Sequence, residues 1–192
     1  MKYAPEHTYN WLILRFHHAE ERAKQLTVGT DEKRFLQPPA SGKWSAAACL
    51  NHLVEFGNVY YDTIAQGLEQ APVDAASADT VFKPRYLWQW IIRFFEPPYR
   101  MKLKTIASFE PKAQQDYAQE EILESFLFLQ KRFVDQLQRA RQKGIDLGAQ
   151  KVGNPALPFI KMRLSECYAI AEAHQRRHLW QAEQTIKSLE KA

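Results

Sequence analysis

Four stretches of this chain repeat apolar residues three and four positions apart over twenty residues or more, and that spacing leaves few folds open. The first runs from Glu6 to Thr27 through Tyr9, Leu12, Ile13, Phe16, Ala19, Ala23 and Leu26. The second begins after Trp44, with Ser45 placed as its N-cap, and continues through Cys49, His52, Leu53, Phe56, Val59 and Tyr60 to Gly67. The third spans Ala118 to Lys143, with Ile122, Leu123, Phe126, Phe133, Val134 and Leu137 in helical register and Gly144 as its stop. The fourth spans about Ser165 to Leu189, with Cys167, Ala171, His174, His178, Ala182 and Thr185 on one side. Each stripe needs a partner to bury it, so the expected fold is all-α, a four-helix bundle. Only 7 of the 192 residues are glycine, which argues against Gly-rich phosphate loops and turn-rich β architectures.

The segments between the helices read differently. Pro38-Pro39 and Ser41-Gly42 mark a loop, and Gly148, Gly153, Pro155 and Pro158 mark another. Residues 68–117 carry Pro72, Pro84, Pro97, Pro98 and Pro111, which break any long helix, so a long crossover between helices two and three is expected, with Tyr86 to Phe95 as one short helix inside it. Seven aromatics lie from Phe82 to Tyr99; they suit either a satellite core across the bundle or a pocket lid or dimer contact. With no repeat, no low-complexity tract and no convincing boundary, residues 1–192 read as a single domain.

Charge excludes more than it identifies. The net +4 comes from 26 basic and 22 acidic residues mixed along the chain, and the basic run from Lys131 to Lys143 falls between apolar positions, as a solvated outer face does. Nucleic acid is therefore not an expected partner. The most apolar run, Tyr86 to Phe95, is interrupted by Gln89 and Arg93, so no membrane span and no membrane partner are expected. The N-terminus has no apolar signal region and two cysteines make no disulfide framework, which places the chain in a reducing cytoplasm.

Chemistry concentrates in histidine. His174 and His178 stand four apart, which stacks two imidazoles on one helix face within reach of one metal ion. Taken alone, such a pair also reads as two partly buried helix histidines. Both lie on the inward stripe of the fourth segment, however, and His52 lies on the inward stripe of the second, so three imidazoles on two helices can converge. Cys49 and Cys167, on the same stripes, read as small buried residues before they read as thiolate ligands. His17-His18 reads as surface, and His7 as a residue near a terminus. Glu55, Glu172 and Gln181 are near enough in sequence to orient ligands, though solvated or structural roles suit them better.

Two segments also resemble a known family. Trp44-Ser45 followed after six residues by His52-Leu53 is similar to the Trp-Ser-x6-His-Leu signature of the DinB/YfiT-like superfamily, and His174 to Gln181 is similar to its C-terminal HxxxH helix. The resemblance implies a metal-binding four-helix bundle with His52, His174 and His178 as ligands of one divalent ion, with zinc, nickel and iron left open. Three imidazoles fill only part of a metal's coordination shell, which is the pattern of a reactive rather than a closed structural site. The resemblance further implies a metal-dependent enzyme acting on a small molecule, of thiol S-transferase or hydrolase type. A non-catalytic, stress-related metal-binding bundle is the alternative. The expected partners are a small-molecule substrate, with low-molecular-weight thiols among the candidates, and a second copy of the chain in a homodimer.

Overall fold

The computed structural model describes residues 7–74, 76, 80–98 and 118–190. Four long helices carry the expected stripes: α1 Tyr9–Val28, α3 Ala46–Glu69, α5 Gln119–Gln142 and α6 Leu164–Leu189. Their ends follow local chemistry. Thr8 Oγ1 accepts the Trp11 N–H at the start of α1, and Ser45 Oγ accepts the Ala48 N–H at the start of α3, each satisfying a donor that a helix's first turn leaves open. At the far end of α5, Gly144 takes φ +65°, which lets the Ile145 N–H return to the Ala140 carbonyl and close the helix.

Shorter elements fill the connections. The loop expected around Pro38 contains a five-residue helix, α2 Glu32–Leu36, capped by Asp31 and anchored by the fully buried Phe35. The loop after Gly144 contains a two-stranded antiparallel pair, β1 Lys151–Gly153 with β2 Lys161–Arg163, in the register Val152 opposite Met162. Three-residue strands are too short to show an alternating pattern, which hides them from the sequence. The short helix at Tyr86–Phe95, α4, forms where the proline spacing allows it. The start of the first stripe at Glu6, and Tyr99 with the rest of the crossover to 117, lie outside the described residues.

The long helices pack as a bundle, α3 along α6 and α1 along α5, with α3 also against α5 and α1 also against α6. A Cβ on Gly57 would come within 2.4 Å of Leu129 Cδ2, so this glycine sets how closely α3 approaches α5. The buried apolar residues form two clusters. One includes Tyr9, Phe16, Phe56, Phe133 and Tyr168, and the other Ala23, Phe35, Leu50, Phe126 and Ile186. Val59, expected on the inward stripe of α3, is exposed instead, because α5 and α6 cover only part of the helix's circumference.

Helix α4 lies on α6 and is fastened to it at both ends. Glu166, fully buried in the first turn of α6, accepts from the Arg85 backbone N–H at 2.8 Å, from the Arg85 guanidinium at 2.7 Å, and from the Arg163 N–H at 2.7 Å. One carboxylate thus caps α6 and ties down the residue that precedes α4. At the other end Glu96 pairs with Arg176 at 3.5 Å, and Arg177 Nη1 donates to the Phe94 carbonyl at 3.3 Å. Trp88 and Ile92 are buried beneath, while Tyr86 and Trp90 face outward. The crossover aromatics therefore divide between core and surface.

His7 is the clearest departure from what the sequence suggests. It is 2% exposed, its carbonyl accepts the Phe82 N–H at 2.8 Å, and its ring stacks on Trp11 at 4.7 Å. Pairing with a residue 75 positions away is what buries it, and no local pattern announces such a contact.

Candidate metal centre

Capping by Ser45 begins α3 one residue later and places His52 about two turns along it, on the face turned to α6. His174 and His178 stand one turn apart on α6, facing back. One ring nitrogen from each of the three lies within 4.8 Å of the others, and His52 Nε2 is 3.3 Å from His174 Nε2. Two nitrogens each ~2.1 Å from a tetrahedral ion sit about 3.4 Å apart, so the pair already has the separation that a shared ligand set needs. Among the described residues this group contains no carboxylate and no thiolate.

The site is buried and aromatic. His52, His174 and His178 are 2%, 6% and 7% exposed. Trp44 stacks against His178 at 5.6 Å and leans on His52 at 4.9 Å; Phe56 stacks on His174 at 3.8 Å; Phe95, from the end of α4, meets His174 edge-on at 5.2 Å. Such walls exclude water, and burial pushes the His174 and His178 rings well below the usual histidine range. For His174 the neighbouring His178 and His52 and the Arg177 charge push the same way. For His178, His52 and Arg177 add to burial and hydrogen bonding with Gln181 partly offsets it. Neutral imidazole, the form that binds a metal, is what this environment favours.

The residues fit a divalent ion on a further observation. The Nδ1 atoms of His174 and His178 are buried without a hydrogen-bond partner among the described residues. Nε2 of His174 faces Nε2 of His52, and for both to bind one ion the His174 proton must sit on Nδ1, leaving Nε2 as a lone-pair donor. A carboxylate usually receives that Nδ1 proton in metal sites; among the described residues none does.

Residues expected near the ligands fall into place variously. Glu172 is buried but turned away: its carboxylate is held by Arg15 at 2.7 Å and by Arg176 at 2.7 and 3.0 Å, beside a cavity of about 290 Å³ between α1 and α6. Its role is structural. Glu55 is half-buried on α3. Cys49 and Cys167 are fully buried, which pushes both thiols far up, as befits packing residues. His17 and His18 are exposed, and so are Lys131, Arg139 and Lys143 in the basic run. The sequence reading does not assign roles to Trp44, Phe95 and Arg177 around the histidines. Trp44 lies inside the Trp-Ser-x6-His-Leu segment and Arg177 between two candidate ligands, so both carry a usable signal; Phe95 is marked only as one of the seven crossover aromatics that suit a satellite core, a pocket lid or a dimer contact.

A family model for the DinB superfamily matches residues 15–182. The chain belongs to the DinB superfamily. No curated protein matches the sequence. Among solved structures this DinB chain is similar to YfiT from Bacillus subtilis, described as a probable metal-dependent hydrolase with an unusual four-helix bundle topology. The TM-score is 0.61 at 13% identity, over 99% of this chain and 92% of that one. The expected fold, a DinB-like four-helix bundle, is therefore the observed one, and no described helix is long and apolar enough to cross a membrane.

Proposed function

We propose that His52, His174 and His178 hold one divalent metal ion and that the protein is a metal-dependent enzyme acting on a small molecule, of hydrolase or thiol S-transferase type. The observation that carries this reading is the convergence of three buried imidazoles from two helices, with no fourth His, Cys, Asp or Glu in the group among the described residues. The description of YfiT as a probable metal-dependent hydrolase supports it by analogy of fold. A divalent ion with three protein ligands would supply Lewis acidity and so make a nucleophile available at neutral pH. The histidines supply lone pairs and fix the ion's position; Trp44, Phe56 and Phe95 keep bulk water from the reacting atoms.

The test begins with elemental analysis of protein purified without an affinity tag or added metal. About one equivalent of a transition metal per chain is expected, and His178→Ala should lose it while keeping its helical circular dichroism. Thiol consumption with a panel of electrophiles, and ester or amide hydrolysis with a second panel, should show a metal-dependent rate in wild type that the variant lacks. A bound metal with no such rate in either panel, together with a variant that melts many degrees lower, refutes the enzyme reading in favour of a structural metal.

A further inference from the structure

Helix α4 is apolar on two sides, and among the described residues only one of them is covered. Trp88 and Ile92 are buried toward α6, while Tyr86, Leu87 and Trp90 are 86%, 51% and 61% exposed. With about 100° between successive residues, Tyr86, Trp90 and Phe94 fall on one outward stripe, and Gln89 and Arg93 lie along its edge. The Trp90 ring stacks on Phe94 at 5.7 Å, which joins the two at the surface. A helix apolar all round is ordinarily buried all round, and a contiguous exposed aromatic stripe marks a contact surface.

The chain around this stripe is basic without acidic relief. Residues 80–95 and 147–163 hold Lys83, Arg85, Arg93, Lys151, Lys161 and Arg163 and not one Asp or Glu. The two segments meet where the Arg85 guanidinium donates to the Lys161 carbonyl at 2.6 Å. The acids at the two ends of α4 are already engaged: Glu166 is fully buried and holds Arg85, and Glu96 pairs with Arg176. Lys83, Arg93, Lys151 and Lys161 are exposed and have no ion pair among the described residues. The connection between β1 and β2 adds Leu157 and Phe159, which are also exposed.

That charge pattern selects the occupant. A second copy docked through the same patch about a twofold axis would set these basic side chains against their own equivalents, with no acidic group in the two segments to pair with them. An anionic lipid surface is complementary on both counts. Its headgroups attract Lys and Arg, and its interfacial layer accepts Trp and Tyr rings with their apolar bodies inward. We propose that the outward face of α4, with the β1–β2 connection beside it, docks on a membrane leaflet rich in anionic phospholipid. The protein lies on this surface without crossing it, since no described helix is long and apolar enough to span. The sequence does not announce such a partner, because the cationic groups come from two segments that only the fold brings together.

The experiment measures co-sedimentation of the full chain with vesicles of phosphatidylcholine alone and of phosphatidylcholine containing about one third phosphatidylglycerol. Wild type should bind the anionic vesicles at least about tenfold more tightly, a preference that raised salt removes, since each basic residue near such a surface is worth about fivefold. Arg93→Glu combined with Lys161→Glu should abolish that preference, and Trp90→Gln should weaken binding to the anionic vesicles by about tenfold. Trp90→Phe should keep binding yet lose most of the fluorescence quenching caused by phospholipid brominated near the head of its acyl chains. With five tryptophans in the chain, that loss assigns the lipid-facing ring to α4. If Trp90→Gln does not fold, the charge-reversal pair and Trp90→Phe decide the matter. No binding, equal binding to both vesicles, binding undiminished by charge reversal or by Trp90→Gln, or quenching that survives Trp90→Phe overturns the proposal. So does a Trp90→Gln variant that turns a dimer into a monomer while lipid binding stays as in wild type, which gives the face to a second copy instead.

Discussion

Replacing His7 with phenylalanine should stabilise the protein, and more so in acid. The imidazole is 2% exposed and neither ring nitrogen has a partner among the described residues, so it bears the cost of a polar group left unsatisfied in the core. Burial lowers its pKa from 6.5 to about 4, with Glu172 pushing weakly upward and Arg176 downward. The sign follows from linkage. Between pH 6.5 and 4 the unfolded chain binds a proton that the folded chain excludes, so this residue's contribution is complete above about pH 6.5 and is lost as the pH falls. At pH 5 that loss is about 2 kcal/mol, because each tenfold preference of the proton for the unfolded chain costs about 1.4 kcal/mol. A phenyl ring keeps the stack on Trp11, leaves the backbone bond to Phe82 untouched and cannot be protonated. His7→Phe should therefore gain about 1 kcal/mol at pH 7.5, where only the unsatisfied nitrogens matter, and about 3 kcal/mol at pH 5. Urea unfolding of both proteins at both pH values measures this, with chelator present so that the other histidines contribute equally. A gap between the two proteins that does not widen on acidification refutes the reasoning.

Three further substitutions test other links. Gly67→Ala should destabilise by about 1–3 kcal/mol in urea melts although alanine favours helix, because its Cβ would lie 2.6 Å from both Leu164 Cδ2 and Val152 Cγ1. Glu166→Ala should cost about 2–4 kcal/mol, measured the same way, since it strands two backbone N–H groups; the half-exposed Arg85 is partly rescued by water. Phe95→Ala should leave metal content within about twofold while raising solvent access to the site, read as faster relaxation of water protons in protein loaded with manganese(II).

How much of this is legible in the sequence depends on the range of each contact. The four helices are readable because burial imposes a local period, and Ser45 and Gly144 mark ends through bonds only a few residues long. The three histidines are readable as candidates because two share a turn and the third shares a stripe. His7, Phe95 and the fastening of α4 to α6 are not, since each depends on a partner some 75 or more residues away. Val59 follows the helical period yet faces outward, because periodicity gives the direction of a stripe but not its width. The two strands between α5 and α6 are too short to leave any pattern.

The histidine layer also interrupts the apolar interior on the side where α3 meets α6. On α3 it separates Leu50 and Leu53 from Phe56 and Tyr60; on α6 it separates the run ending at Ala173 from Leu179, Ala182 and Ile186. The two halves differ in strength. One holds Phe16 stacked on Phe133 with Tyr168 edge-on to both, the other relies heavily on alanines at 19, 23, 46, 47 and 182. Without an ion, three imidazole rings across this seam contribute little cohesion, and the alanine-rich end is the part expected to open first as its own cooperative unit. An ion shared by α3 and α6 would stitch the halves together, so that amides at both ends exchange with solvent through one common opening. Metal occupancy would then be recorded in how many steps the protein takes to unfold.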